Sequence, residues 1–484
     1  MKKIDRFTIA GLLGKGGMGK VYKICYPVTG RIAALKLLDP SPLLAALTDK
    51  KELAALFTKE AVIMASIRHP HVVDILDFGR TQGNLYYIMD FYCNSLATFM
   101  GESAEAEATR IIPIEKAVHY TTQTLRGLSC LHFFGIIHRD IKPANILITD
   151  LDVAKICDFG LSRRRGDRRE TRHGSIRVGS PFYAAPEQET DPDQVDITAD
   201  LYSTGVMLYK MLFGHLPEES RPQASQLNPD LDEDWDRFFA RALHPDPSRR
   251  FQAADLMGRH LEDLARAWEE KKEKICALPV FPEPETDPGT GISGGRNTGD
   301  PAAHRTRALP VRSAPMKIPL KHAQTFFGLD RFMQPQEYGV NDLVTSETGV
   351  VTDRHTGLVW QQSGTGFPVT WHQAKDYVAQ LNRQRFGGFS DWRLPTLHEL
   401  LTLAAPPAQG QDHCISSVFD RTQKWLWSAD KSTFVSAWYM SLEMGFAARN
   451  DMTSFYHVKA VCSSGLFAPD SGFRADEPFF QKVP

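Results

Sequence analysis

Residues 278–315, LPVFPEPETDPGTGISGGRNTGDPAAHRTRALPVRSAP, limit the fold more than any other stretch. Prolines and glycines recur there without an apolar period. Such a segment cannot bury enough surface to offset its ordering entropy. A chain interrupted in this way must build a separate core on each side. The sequence therefore divides into a domain over 1–270, a flexible linker over 271–340, a second domain over 341–465 and a tail over 466–484.

Composition narrows the class of both domains. The apolar share is 42% and the charged share 24%, as in ordinary globular proteins. A net charge of −2 does not point to nucleic acid or an anionic membrane surface as partner. The seven cysteines are scattered singly and form no CxxC, which argues against a disulfide framework or a zinc site and for a reducing compartment. No run reaches the roughly 18 apolar residues of a membrane span. The start, MKKIDRFTIAGLLGKGG, lacks the apolar core of a signal peptide. A cytoplasmic protein is the expectation.

Periodicity places the elements. Residues 1–40 alternate like strands, and VVDILDFG and NLYYIMDFY continue that pattern. In residues 50–68, Leu53, Leu56, Phe57, Ala61, Met64 and Ile67 share one helical face. Helical patterns dominate from about 115 to 274, with loops near 140–190. Beyond the linker, TWHQAKDYVAQLN reads as an amphipathic helix carrying Ala374, Tyr377, Val378 and Leu381 on one face. PTLHELLTL reads as another, with Thr396 as N-cap and Glu399 completing a capping box.

Three stretches carry chemistry. In GLLGKGGMGKVYKI, Gly14, Gly16 and Gly19 form GxGxxG. A dinucleotide-binding turn would need a helix next and an acid about 20 residues on, and Asp39 sits there. The following KVYKI alternates like a strand instead, which suits a loop folded over phosphates or a plain glycine-rich hairpin. Lys36 lies within the apolar RIAALKLL and needs an anionic partner, either nucleotide phosphates or Glu60, unless it snorkels from a strand end. In IIHRDIKPANILI, Asp140, Lys142 and Asn145 interrupt a buried run, and KICDFGLS sets Asp158 after a strand. An acid and an amide aimed at one cavity suit Mg²⁺, a hard cation that accompanies phosphates.

With these motifs in order, residues 7–265 resemble an eukaryotic-like (Hanks-type) bacterial serine/threonine protein kinase. The series comprises the glycine loop at 14–19, Lys36, Glu60, HRDIKPAN at 138–145, DFG at 158–160, APE at 185–187, DLYSTG at 200–205 and DPSRR at 246–250. The resemblance implies a bilobal α+β fold that transfers the γ-phosphoryl group of ATP, with Mg²⁺, to serine and threonine hydroxyls of protein substrates. It places Gly14, Gly16, Gly19 and Val21 over the nucleotide. Lys36 would hold the α and β phosphates and pair with Glu60. Met89 would gate the adenine pocket, with Asp90 and Tyr92 offering backbone hydrogen bonds. Asp140 would take or orient the hydroxyl proton, Lys142 would steady the γ-phosphoryl group, and Asn145 and Asp158 would ligate Mg²⁺. Asp200 would prop up the catalytic loop, and Glu187 and Arg250 would form a bracing ion pair. A lysine at 142 is typical of serine/threonine rather than tyrosine specificity. A pseudokinase scaffold is the alternative, although no catalytic group is missing.

Residues 161–187 carry seven arginines and the hydroxyls Ser162, Thr171, Ser175 and Ser180. A basic run is commonly a solvated loop. Phosphate on Thr171 or Ser175, paired with Arg139, would instead order it.

Six of the eight tryptophans, Trp360, Trp371, Trp392, Trp425, Trp427 and Trp438, fall in the second domain. They suit an aromatic core, or a stacking site for a ligand. DRHTGLVWQ, SDWRLPT, KWLWSAD, AWYMSLEMGF and VKAVC are similar to the Lcl C-terminal domain family. That resemblance implies a C-type lectin-like α+β fold and recognition of an unidentified ligand or partner. It also allows Cys414 and Cys462 to approach each other.

Overall fold

The computed structural model describes residues 2–16, 19–42, 46, 49–102, 108–158, 163–164, 182–218, 222–276, 311–406 and 414–463. The chain falls into two compact units, Met1–Glu269 and Glu270–Pro484.

The first unit opens with an antiparallel sheet. Its strands are β1 (Lys3–Ile4), β2 (Phe7–Lys15), β3 (Gly19–Cys25), β4 (Ile32–Leu38), β5 (Ile75–Thr81) and β6 (Asn84–Asp90). They lie in the order β1-β2-β3-β4-β6-β5. Alternation in the sequence becomes two faces, one of which buries Phe7, Ile24, Ala33, Leu35 and Ile88 together. Helix α1 (Lys50–Ser66) starts at Asp49, whose carboxylate accepts the Lys51 backbone N–H. It buries Leu53, Phe57, Glu60, Ala61, Ile63 and Met64, so an acid shares the apolar face.

The rest of this unit is mainly helical. It contains β7 (Asn94–Ser95), α2 (Leu96–Met100), α3 (Ile114–Phe133), β8 (Ile136–Ile137), β9 (Ile146–Ile148), β10 (Ala154–Ile156) and β11 (Arg163–Arg164). Then follow α4 (Glu187–Thr190), α5 (Ile197–Phe213), α6 (Ala224–Leu227), α7 (Glu233–Ala242) and α8 (Ala254–Cys276). Helix α5 is buried almost throughout and packs against α3 and α7. Helix α3 passes so near residue 71 that a Cβ on Gly127 would lie 2.7 Å from the His71 carbonyl oxygen. That approach lets the 69–73 segment pair with β10 through Val73 N–H to Ile156 O at 3.0 Å. Strand β10 thereby packs on α3.

The second unit holds two antiparallel sheets. One is β12 (Leu343–Thr345), β13 (Val350–Asp353), β14 (Leu358–Gln361) and, after the others in sequence, β18 (Val461–Ser463). The other is β15 (Trp425–Lys431), β16 (Ser436–Ser441) and β17 (Phe446–Asp451). Its helices are α9 (Leu320–Phe327), α10 (Trp371–Gln384) and α11 (Leu397–Thr402). Both expected helices form, and the capping box at Thr396 and Glu399 is complete. All six tryptophans are buried. Four of them donate their indole N–H to backbone carbonyls, among them Trp438 to Ile318 at 2.9 Å. They are core residues, and none is an exposed stacking platform. Cys414 and Cys462 are buried free thiols.

The linker expected over 271–340 differs from the structure at both ends. Helix α8 continues to Cys276, and residues 311–340 pack into the second unit. Ile318, Ala323, Phe327 and Leu329 join Trp360, Leu397, Leu400 and Trp438 in one core. The polar anchor is Arg312, whose guanidinium donates to both carboxylate oxygens of fully buried Asp430 at 3.0 and 2.5 Å. Asp430 also accepts the backbone N–H groups of Met316 and Leu397. The anchors are spaced among Pro, Ser and Lys, so no apolar period advertises them. Residues 277–310 lie outside the described residues.

Two outcomes follow for this unit. Each of the side chains of Ile318, Phe327 and Leu329 contributes about 2 kcal/mol by burial. A fragment beginning at residue 311 should therefore unfold cooperatively on heating, whereas one beginning at 341 should show no cooperative transition by circular dichroism. His398, packed against Arg312, titrates low: burial first, then the guanidinium, bring it from 6.5 to about 4. The unfolded chain binds that proton at higher pH than the folded one. Stability should thus fall as pH drops from 6.5 towards 4, by roughly 3 kcal/mol from this residue. Denaturant melts of wild type and His398→Asn across that range measure it, and the variant should lack this part of the slope.

Candidate active site

Strands β2 and β3 flank the glycine loop. Gly14 pairs with Val21 across them, and the Gly16 N–H donates to the Gly19 carbonyl at 2.8 Å. A Cβ on Gly19 would lie 2.1 Å from the Leu37 carbonyl oxygen, so only glycine lets β3 lie this close to β4 here. No helix follows, which removes the dinucleotide-binding alternative.

Val21 faces Lys36 in the β3–β4 register, and Lys36 faces Tyr87 in the β4–β6 register. The Lys36 ammonium is buried, 2.9 Å from Glu60 Oε1 on α1 and 2.7 Å from Asp158 Oδ1. Burial works against its charge, yet the surrounding Tyr87, Asp158 and Glu60 oxygens outweigh it and hold the pKa well above the ordinary lysine value. Tyr87, which sequence reasoning missed, donates to the same Glu60 oxygen at 2.9 Å and fixes it. Its signal was positional, since it stands directly across the sheet from Lys36. Met89 is buried near the end of β6, paired with Ala34. Asp90 ends that strand with its carboxylate on Arg31 at 2.7 Å, and Tyr92 follows half-buried.

The second group of residues lies between β8 and β9. Lys142 Nζ donates to Asp140 Oδ2 at 2.8 Å. Asn145 Nδ2 donates to the Asp140 carbonyl at 2.8 Å and to Oδ2 at 3.0 Å. Acid, ammonium and amide thus converge, as the spacing suggested. The backbone beneath them is held by Asp200 on α5, which is fully buried. Its carboxylate accepts the N–H groups of His138 at 2.9 Å and Arg139 at 2.7 Å, and the His132 ring nitrogen at 2.8 Å. Burial alone would raise its pKa, but the His132 hydrogen bond and the neighbouring donors prevail and keep it below the ordinary carboxylate value. His138 Nδ1 accepts the Asp140 N–H, so its other nitrogen carries the proton and donates to the Cys157 carbonyl at 3.1 Å. That bond ties the loop to the residue preceding Asp158. Arg139 and Asp158 both take left-handed backbone angles, φ +68° and +63°, which these bonds hold in place.

The sites meet through Asp158, half-exposed and reached by Lys36 from the sheet. A cation fixed by two carboxylates is thus linked, through Cys157, to an acid with its own lysine and an amide, and the glycine loop leads through β3 to the strand that carries Lys36. Such a set can hold a polyphosphate and orient a hydroxyl. The expected brace is present as well, with Arg250 bonding Glu187 at 2.7 and 2.8 Å. Arg139, expected to meet a phosphate, is buried and donates to the carbonyls of Pro192 at 3.2 Å and Val195 at 3.3 Å. Thr171 and Ser175, its expected partners, lie outside the described residues, as do Phe159 and Gly160.

Residues 349–462 match the Lcl C-terminal domain. A probable serine/threonine-protein kinase of Streptomyces coelicolor is 34% identical over 273 residues, covering 52% of this chain and 39% of that protein. One from Clostridium perfringens is 31% identical over 277 residues, covering 54% and 38%. The chain thus spans less than half the length of these two relatives. A crystal structure of the Mycobacterium tuberculosis PknI kinase domain is 25% identical, covering 55% of this chain and 98% of that one, with a TM-score of 0.43. The protein kinase domain matches residues 7–262, more than half of the 484, and the chain belongs to the protein kinase family.

Proposed function

We propose that residues 1–270 transfer the γ-phosphoryl group of ATP to serine and threonine hydroxyls of proteins. The observation that carries this reading is the pair of clusters, Glu60–Lys36–Asp158 and Lys142–Asp140–Asn145, linked through Cys157. In this reading Gly14, Gly16 and Gly19 offer backbone N–H groups to the phosphates. Val21, Met89, Asp90 and Tyr92 line the base, and Lys36 neutralises the α and β phosphates. Asp140 accepts the proton of the acceptor hydroxyl as its oxygen bonds to the γ-phosphorus. The bond to the β,γ-bridging oxygen breaks, and ADP leaves. Lys142 balances the charge on the moving group.

The donor set fits Mg²⁺, since Asp158 offers carboxylate oxygen and Asn145, whose nitrogen faces Asp140, offers amide oxygen. Those two residues would hold the ion, which would supply charge neutralisation to the phosphates. Free thiols among the described cysteines support a cytoplasmic setting. Among the described residues no helix is long and apolar enough to cross a membrane.

We further propose that residues 311–463 recognise a ligand or partner and localise the kinase. The match to a separate domain family and the independent core of that unit support this. A long tether raises effective concentration without a rigid interface.

Asp140→Asn should lower phosphoryl transfer to a serine-containing peptide by about a thousandfold with ATP affinity unchanged, because the nucleotide is held elsewhere. Radiolabel transfer and nucleotide titration measure the two separately, and wild-type turnover would remove Asp140 from its role. Limited proteolysis should cut within 277–310 and release a kinase piece that phosphorylates a generic peptide at the full-length rate. A large change in rate would show that the second unit acts on the catalytic one directly.

A further inference from the structure

Lys317, Lys375 and Lys431 of the second unit meet aromatic rings and, among the described residues, no carboxylate. Lys317 Nζ lies 3.5 Å from the centre of the Phe434 ring. Lys375 and Lys431 Nζ lie 4.3 and 4.9 Å from the centre of the Trp371 ring. Lys317 and Lys431 are also backbone neighbours. The Ile318 N–H donates to the Lys431 carbonyl at 2.8 Å, and the Lys431 N–H to the Met316 carbonyl at 2.9 Å. Acids close by in the fold are engaged elsewhere: Asp430 turns inward onto Arg312, and Asp451 accepts the Thr453 N–H and hydroxyl. Like charges set side by side on a ladder are destabilising. This row of cations is a cost to the fold that an anionic partner would offset.

The turn between β15 and β16 adds an apolar tip to the row. Phe434 is 85% exposed and Val435 65%, and Met316 beside Lys317 is exposed as well. The turn holds itself together. Thr433 Oγ1 accepts the N–H groups of Val435 and Ser436 at 3.2 and 3.1 Å, and the Ser436 carbonyl accepts those of Ser432 and Thr433 at 2.9 and 3.2 Å. The Val435 carbonyl accepts the Met452 N–H at 2.9 Å. With these groups already bonded, the tip can leave water at small polar cost. An apolar tip backed by lysines has the layering of a bilayer surface, with apolar groups below the headgroups and cations level with them. The net charge of −2 does not oppose this, because salt screens charges beyond roughly 10 Å.

We propose that the 432–436 turn, with Lys317, Lys375 and Lys431, docks the second unit on an anionic phospholipid bilayer. Phe434 and Val435 enter the headgroup layer, and the three ammonium groups meet lipid phosphates and carboxylates. This names the partner of the second unit and rests on the reading that this unit localises the kinase.

The test is cosedimentation of the full chain with phosphatidylcholine vesicles, with and without phosphatidylserine. Wild type should bind only the phosphatidylserine vesicles, and less as salt rises. Lys317→Ala with Lys431→Ala should weaken binding about thirtyfold, since each lysine near such a surface adds roughly tenfold or slightly less. Phe434→Ser with Val435→Ser should weaken it about tenfold at unchanged salt dependence. All four side chains lie at the surface, so both variants should keep the wild-type thermal transition. Absence of wild-type binding, equal binding to both vesicle types, or binding that neither variant weakens would overturn the proposal. So would binding to soluble polyglutamate but not to vesicles, or self-association that Phe434→Ser abolishes, since these assign the patch to an acidic protein or to a second copy. Transfer to a peptide anchored on the same vesicles tests the underlying reading separately. Vesicle binding that the variants weaken, without faster transfer to the anchored peptide than to the free one, would uphold the docking surface and overturn localisation of the kinase.

Discussion

One buried carboxylate organises the catalytic unit. Asp200 stands on a helix that is itself almost wholly inside, and it meets the backbone of the loop that carries Asp140. An uncompensated charge there would be costly, so the site exists only when His132, His138 and Arg139 all donate to it. Those donations hold Arg139 in its left-handed conformation, which turns the chain and sends Asp140 outward. From Asp140 the order passes to Lys142 and Asn145, and through His138 to the residue before Asp158. The geometry of the Asp140 site thus derives from a group buried behind it.

The second unit solves a related problem in the same way. Asp430 is fully buried and takes both prongs of Arg312 and two backbone N–H groups. A bidentate guanidinium plus two amides satisfies most of the carboxylate's lone pairs, the condition under which a buried ion pair is tolerated. The consequence is topological, because Arg312 comes from a stretch that composition alone would leave outside the domain. In both units a fully satisfied acid connects segments far apart in sequence. In neither does the acid sit at the surface where a ligand would meet it.

Much of the catalytic unit was legible in the sequence. The glycine spacing, Lys36 inside an apolar run and the polar interruption at 138–145 each name a chemical need that one family of arrangements meets. The strand after Gly19 already argued against a dinucleotide-binding turn, and the sheet register agrees. The capping box at Thr396 was legible for the same reason, as a local hydrogen-bond pattern with fixed spacing. Tyr87 was not legible, because it is an ordinary residue whose partner, Glu60, stands 27 positions away. The membership of residues 312–329 in the second core was hidden similarly, since four buried apolar residues among prolines and lysines make no period.

The sequence by itself determined the periodic elements, the two cores and the chemical groups of the candidate site. Those depend on neighbours along the chain or on residue types with few alternatives. The tertiary structure alone decided which buried acid meets which donor, that the tryptophans fill a core, and that residues 312–329 belong to the second core. These choices depend on desolvation, and a group's loss of water is fixed by whatever folds over it from elsewhere in the chain.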